Sequence, residues 1–173
     1  MNPRVLETAR LALGHLEPSD AEFILRLVNE PSWLQFIGDK GVRSLDDARA
    51  YIANGPAAMI ARHGFGLYLT STKADGVPIG LCGLIKRDAL DDVDIGFAFV
   101  PESWGKGYAR EAAAATLEHA QRDFGLRRVV AITSQDNARS KHLLESIGFR
   151  FERMVKLAPE ASELCLFAWE TRA

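Results

Sequence analysis

The spacing of hydrophobic residues changes period along the chain, and the changes mark its elements. Over residues 6–16 apolar positions alternate, with Leu11 and Leu13 on one face, which predicts a first strand. Glu17-Pro18-Ser19-Asp20 stops it, and Ser19 followed by Glu22 has the capping-box pattern of a helix start. Ala21, Ile24, Leu25 and Val28 give that helix its apolar stripe, which ends near Pro31. Residues 32–43 have no period and read as an irregular stretch carrying Trp33, Phe36 and Ile37. Ser44 with Asp47 opens another helix, with Ala48, Tyr51 and Ile52 inward, and Gly55-Pro56 interrupts it before a short helix over residues 57–62.

The second half begins with three strand patterns. Residues 66–72 and 79–86 are joined by a turn at Ala74-Asp75-Gly76, and an acidic turn over 88–92 leads into a run ending at Val100. Together they make an antiparallel meander. Helical spacing then takes over: Ala109, Ala112, Ala113, Thr116, Leu117, Ala120 and Phe124 share one face, and Gly125 supplies the left-handed stop. Residues 128–133 form a short buried-looking strand, placed by the intervening helix in a parallel crossover. Asp136-Asn137 opens a helix with Ser140, Leu143, Leu144 and Ile147 on one face and Gly148 at its end. Strands over 149–157 and 163–170 close the chain. The order defines an α/β (α+β) fold: a single domain spanning 1–173, with a mixed, mostly antiparallel twisted sheet of about seven strands flanked by helices.

Composition narrows the functional classes. A chain of 173 residues with 47% hydrophobic and 25% charged residues can bury a core without metal or disulfide staples. Its net charge of −2 gives no electrostatic reason to bind nucleic acid or an anionic membrane. Cys82 and Cys165 lie inside apolar runs and read as buried thiols. No His, Cys or carboxylate spacing points to a metal, no apolar run has spanning length, and no signal-peptide core opens the chain, so the expected location is the cytoplasm.

Candidate chemistry centres on Val100-Pro101-Glu102-Ser103-Trp104-Gly105-Lys106-Gly107-Tyr108-Ala109, where a strand turns over two glycines into the long helix. The first N–H groups of a helix lack internal partners and sit at the positive end of its dipole. Glycines let those groups approach a phosphate closely, and Lys106 adds a mobile charge. A P-loop requires Ser or Thr after its lysine, yet Gly107 follows Lys106; the dinucleotide fingerprint requires a third glycine, yet Tyr108-Ala109-Arg110 follows. The turn predicts a phosphorylated ligand held in neither of those ways.

Two motifs resemble the GNAT superfamily of acyl-CoA-dependent N-acyltransferases. Phe99-Val100-Pro101 running into Trp104-Gly105-Lys106-Gly107-Tyr108-Ala109 is similar to that family's coenzyme A pyrophosphate loop. Asn137-Ala138-Arg139-Ser140-Lys141-His142-Leu143-Leu144-Glu145-Ser146-Ile147-Gly148-Phe149 is similar to its asparagine helix ending in Gly-Phe. Glu7-Thr8-Ala9-Arg10-Leu11 and Ser19-Asp20-Ala21 resemble the branch that acetylates the N-termini of ribosomal proteins. The resemblance implies acetyl-CoA as co-substrate, its pyrophosphate on the backbone N–H groups of residues 105–109 and its pantetheine arm paired with the backbone around Phe99 and Val100. It implies that a backbone N–H there holds the developing oxyanion, and that Asn137 binds the coenzyme arm or fixes the acceptor side. Two positions depart from the pattern. Trp104 stands where Arg or Gln is usual, and Leu144 stands where many members carry a tyrosine that protonates the leaving thiolate. In the ribosomal branch a serine of this helix is the proposed acid, and Ser140 matches it; the alternative is a serine bonded back to its own helix.

The implied reaction is direct attack by a neutral amine on the acetyl carbonyl in a ternary complex. Asp94 or Asp92 would take the ammonium proton, directly or through water, unless both are solvated turn residues. His15 and His142 are weaker candidates, and His63 and His119 read as surface residues. Acceptor choice falls to residues 33–43, with Trp33 and Phe36 as binding residues, to the segment near Gly55, and to the closing turn at 158–162. The acceptor is a protein N-terminus or a small-molecule amine, and the closing hairpin leaves room for a homodimer. A non-catalytic acyl-CoA-binding regulatory module on the same scaffold is the alternative that Leu144 and Trp104 keep open.

Overall fold

The computed structural model describes residues 3–172, and eight strands in it form one sheet in the order β1-β2-β3-β4-β5-β6-β8-β7. The eighth strand arises at the start of the chain. Residues 6–16 make two strands rather than one: β1 (Arg4–Glu7) and β2 (Leu11–Gly14) pair antiparallel across a tight turn at Thr8. That turn is closed by the Thr8 N–H on the Leu11 carbonyl and the Leu11 N–H on Thr8 Oγ1, a side-chain bond that alternation alone cannot reveal. β3 (Leu67–Thr72), β4 (Pro78–Ile85) and β5 (Asp94–Phe99) form the meander, and β6 (Arg128–Thr133) lies parallel to β5. Of the closing pair, β7 (Arg150–Val155) and β8 (Leu164–Glu170), the later strand sits inside against β6.

Six α-helices flank the sheet: α1 (Ala21–Leu27), α2 (Pro31–Phe36), α3 (Leu45–Ile52), α4 (Ala58–His63), α5 (Tyr108–Phe124) and α6 (Ala138–Ser146). Three differ from their sequence patterns. Before α1 the capping box belongs to Glu17 and Asp20 around a short 3-10 turn, with the Glu17 N–H 2.8 Å from Asp20 Oδ2, rather than to Ser19 and Glu22. The stretch expected to be irregular holds α2, opened by Pro31 at its first turn, where a missing N–H costs nothing. Pro56 does not break the helix before it: a wide π-type turn over Ala53–Ala57 absorbs the absent hydrogen bond and carries α3 into α4. The expected Ser44 cap is present, its side chain accepting from the Asp47 N–H at 3.0 Å.

Alternation along the central strands assigns their faces. Tyr68, Cys82 and Phe97 are register partners, and Tyr68 and Cys82 touch α5 through His119 and Thr116. Leu67, Leu81, Ile85, Asp94, Gly96 and Ala98 therefore face the opposite layer, built by α1 to α4. α5 buries Ala112, Ala113, Thr116, Leu117 and Ala120 on β4 and β5, and these small side chains let helix and sheet approach closely.

His119, expected at the surface, is buried. Its Nε2 lies 3.1 Å from the Tyr68 hydroxyl and its Nδ1 lies 2.6 Å from Asp123 Oδ2, so two polar partners satisfy an imidazole on the apolar face of α5. The sequence showed the helical position but not the partners, which come from β3 and the next turn. At the far edge Arg128 holds Asp92, Glu152 and Glu170 at 2.9, 2.6 and 2.9 Å, tying the start of β6 to the acidic turn and the closing strands. Both cysteines are buried and free. Among the described residues no helix is long and apolar enough to cross a membrane.

Tyr68→Phe strands His119 Nε2 without its buried partner, and the expected loss is about 1–3 kcal/mol. A lower urea midpoint with an unchanged m-value checks it; an unshifted midpoint means that water replaces the hydroxyl.

Candidate active site

β5 and β6 run parallel but share a single register pair, Asp94 with Val130, held by the Val130 N–H on the Val93 carbonyl at 3.0 Å. Beyond it the ladder ends and the sheet opens. The Val100 N–H donates to Ile79 O at 2.9 Å, on the β4 side, so alternation turns the backbone groups of Phe97 and Phe99 toward the opening. The Phe97 backbone and the Phe99 N–H thus face the gap, while the Phe99 carbonyl accepts from the Trp104 indole and the Val100 N–H is spent within the sheet.

Above the opening, Gly105 and Gly107 take left-handed backbone angles, with φ of +77° and +81°. Among the described residues the N–H groups of residues 105–110 make no hydrogen bond, so a concave row of donors points outward at the start of α5. The Lys106 side chain is exposed and does not line the cavity beneath, whereas Gly105, Gly107, Tyr108 and Ala109 do.

The loop is braced from behind by a residue whose role the sequence did not show. Arg10 donates from Nε to Glu111 Oε2 at 2.7 Å and from a terminal nitrogen to the Lys106 carbonyl at 2.8 Å, and its guanidinium lies 4.4 Å from the centre of the Tyr108 ring. A Cβ on Gly107 would come within 3.3 Å of the same guanidinium. Glu111 also accepts from the Thr8 hydroxyl and the Arg10 N–H at 2.6 and 2.9 Å. Burial pushes the Glu111 carboxyl up, but these hydrogen bonds outweigh it and hold the group below the ordinary carboxylate range. The only sequence signal was the Thr8-Ala9-Arg10 spacing, which gives no hint of a partner a hundred residues away.

Trp104 orders the strand-to-loop junction by contact. Its indole N–H donates to the Phe99 carbonyl at 2.9 Å, and the Arg139 guanidinium covers its ring at 4.2 Å, linking the loop to α6. At the head of α6, Asn137 Oδ1 accepts the Ser140 N–H at 3.2 Å; its side-chain NH2 has no partner among the described residues. The Ser140 hydroxyl lines the cavity and, among the described residues, makes no back-bond to its helix, unlike Ser146 on Leu143 O. Leu144 is fully buried in the core. Two hydroxyls that the sequence did not single out, Thr133 and Ser134 at the end of β6, are buried without partners and line the same cavity.

That cavity, about 890 Å³, runs from the loop through the sheet opening to the layer of α1 to α4. Leu67, Leu81, Ile85, Gly96 and Ala98 form its floor, and the two small residues leave the room above it. Trp33 and Phe36 line the roof, Trp33 packed into the core with its indole nitrogen buried and unpartnered. Asp94 lies on the floor, 1% exposed, and Arg87 Nε is 3.3 Å from each of its oxygens. Burial pushes the Asp94 carboxyl up to about 6, with Arg87 opposing the rise. Three strand steps, about 10 Å of chain, separate it from Phe97. Of the two aspartates, Asp92 is outside the cavity and bound to Arg128, whereas Asp94 lines it, as do Glu30 and His142. Among the described residues no group of three or more His, Cys, Asp or Glu could hold a metal ion.

A parted parallel strand pair thus lies beneath a row of free N–H groups, and one cavity joins both to a buried carboxylate. The family model for the acetyltransferase (GNAT) domain matches residues 10–150, and the chain belongs to that family, whose members move an acyl group from an acyl-CoA to an amine. An uncharacterized N-acetyltransferase of Bacillus subtilis, YoaA, is 27% identical over 154 residues, covering 88% of this chain and 86% of its own. FsC-acetyl coenzyme A-N(2)-transacetylase of Aspergillus fumigatus is 26% identical over 152 residues, covering 83% of this chain and 63% of its own. The fold matches RimL, a ribosomal L7/L12 alpha-N-protein acetyltransferase solved with coenzyme A, at a TM-score of 0.81 and 19% identity over 96% of this chain and 97% of that one.

Arg10→Ala leaves the free N–H groups in place but removes the brace behind them. The dissociation constant of coenzyme A should rise about tenfold, or about 1.4 kcal/mol, by calorimetry, while the melting temperature moves little. Unchanged affinity would show that the loop holds its shape without Arg10.

Proposed function

We propose that this chain transfers an acetyl group from acetyl-CoA to a primary amine, either a small molecule or a protein N-terminus, by direct attack in a ternary complex. One observation carries the reading: the unladdered edge of β5 runs from the N–H-lined loop to the buried Asp94 within one cavity. Acetyl as the acyl group is supported by the names of the relatives, two of which specify acetyl transfer from or with coenzyme A.

The residues divide the work as follows. Gly105, Gly107, Tyr108 and Ala109 present backbone N–H groups to the pyrophosphate, and the Phe97 and Phe99 backbone offers the pantetheine arm an edge to pair with. An N–H from that edge is preorganised for the negative charge that develops on the thioester oxygen. Asp94 accepts the ammonium proton, directly or through one water, freeing the lone pair that forms the new C–N bond. As the C–S bond breaks, the Ser140 hydroxyl, or water if the serine is dispensable, returns a proton to the thiolate. Asn137 caps the helix that aims Ser140 and keeps its NH2 for the coenzyme arm. Holding both reactants in one cavity supplies much of the acceleration.

Thiol release from acetyl-CoA across small amines and short peptides tests this, with Ser140→Ala and Asp94→Asn alongside and coenzyme binding measured separately. Asp94→Asn should lower kcat by about 10²–10⁴. The base works as the carboxylate, and its ionised fraction falls as pH drops through about 6. The wild-type rate should therefore fall about tenfold per pH unit below that point, and the variant should lack this limb. Loss of release in Ser140→Ala, with binding intact, assigns the proton to the serine; unchanged release assigns it to water. Coenzyme binding with no release for any acceptor would replace the enzyme with a non-catalytic acyl-CoA-binding module.

A further inference from the structure

At the closed end of the cavity, hydrogen-bond donors outnumber acceptors. Arg87 lies two residues beyond β4, next to Asp94, because Ile85 and Asp94 are register partners. Its side chain is 33% exposed, and only Nε is engaged, by Asp94. Both terminal NH2 groups have no partner among the described residues, although the side chain is two-thirds buried. Lys40, between α2 and α3, borders the same cavity as an exposed side chain and has no ion pair or hydrogen bond among the described residues. Burial and then repulsion from Arg87 lower its ammonium pKa, which places the two cations within each other's field. The Tyr51 hydroxyl has no partner among the described residues either; burial pushes its pKa up to about 12, so it stays a donor. Glu30, the other carboxylate on the wall, is tied to Arg26 at 3.3 Å.

Around Asp94, the cations Arg87, Lys86 and Lys40 outnumber the carboxylate, so this end of the cavity carries a surplus of positive charge. A guanidinium with both NH2 ends free matches a planar oxyanion in bidentate fashion. Its two parallel NH2 ends match the two oxygens of a carboxylate. Leu27, Phe36, Ile37 and Met59 line the same cavity over Gly96 and Ala98 and suit an apolar side chain.

We infer that the acceptor is a small amine that carries its own carboxylate, held by Arg87 and Lys40 with Tyr51 as a further donor. This rests on the acyl-transfer reading and narrows it. A protein N-terminus presents a neutral amide at the corresponding place and leaves the surplus charge unanswered.

The test uses matched trios: an amino acid, its carboxamide and the decarboxylated amine, with leucine, leucinamide and 3-methylbutylamine as one set and the phenylalanine series as another. Rates of thiol release are compared per free base, because the carboxamide's amine is more acidic. The amino acid should exceed both analogues at least tenfold in kcat/KM, and the ratio should fall at least fivefold in Lys40→Met and in Arg87→Lys. Calorimetry with coenzyme A present supplies a readout without turnover: N-acetyl-leucine should bind at least tenfold tighter than N-acetyl-leucinamide, and Lys40→Met should erase the difference. Turnover that treats acid, amide and amine alike, with the two N-acetyl compounds bound equally, would overturn the inference and leave acyl transfer standing. Selective binding of the acid with no turnover for any acceptor would uphold the carboxylate site and sink the transfer reading.

Discussion

Everything in the cavity depends on β5 and β6 parting after one paired position. A parallel ladder normally continues while its strands stay in register, since each buried N–H and carbonyl needs a partner. Here the strands meet at Asp94 and Val130 and then diverge, exposing the backbone at Phe97 and Phe99. The divergence is fixed from both ends. Arg128 binds Asp92, Glu152 and Glu170 where the strands meet, and at the open end Trp104 spans from the Phe99 carbonyl to Arg139 on α6. Neither anchor reaches the reacting groups, but together they keep the edge available to a ligand.

The same economy governs the loop. Left-handed glycines let the N–H groups point outward, and that conformation deprives the loop of internal hydrogen bonds to hold it. Arg10 restores the stiffness from the first hairpin, gripping the Lys106 carbonyl and the Glu111 carboxylate behind the donors. The chain's first hairpin thus braces the loop proposed to hold the coenzyme, although none of its described residues lines the cavity.

What the sequence revealed and what it hid divide along a physical line. Local periodicity located α5 and α6, the meander and both motif loops, because burial of one face imposes a period wherever the chain folds on itself. The glycine turn and the Asn137 cap were legible for the same reason: backbone demands of that kind select particular residues. Long-range pairing left no such mark. Neither Arg10 with Glu111, nor His119 with Tyr68, nor Arg87 with Asp94 carries a signal at fixed spacing: the first two meet where α5 packs on the sheet, the third through the β4–β5 register. Pro31 and Pro56 misled in the other direction. Their missing N–H groups fell at a first turn and in a widened turn, where no bond had to be lost.

Arg87 would connect the two halves of the proposed acceptor site. It opposes the rise in the Asp94 pKa that burial causes, which makes Asp94 a weaker base. A carboxylate drawn to its free NH2 ends would share the guanidinium charge, weaken its hold on Asp94 and add a negative neighbour. Each change disfavours the ionised Asp94 and raises its proton affinity. The proper acceptor would therefore strengthen the base as it binds, whereas a neutral amine of the same shape would not. Selectivity then has two sources in one contact: affinity for the carboxylate, and a proton acceptor brought nearer to its working range only when that carboxylate is present.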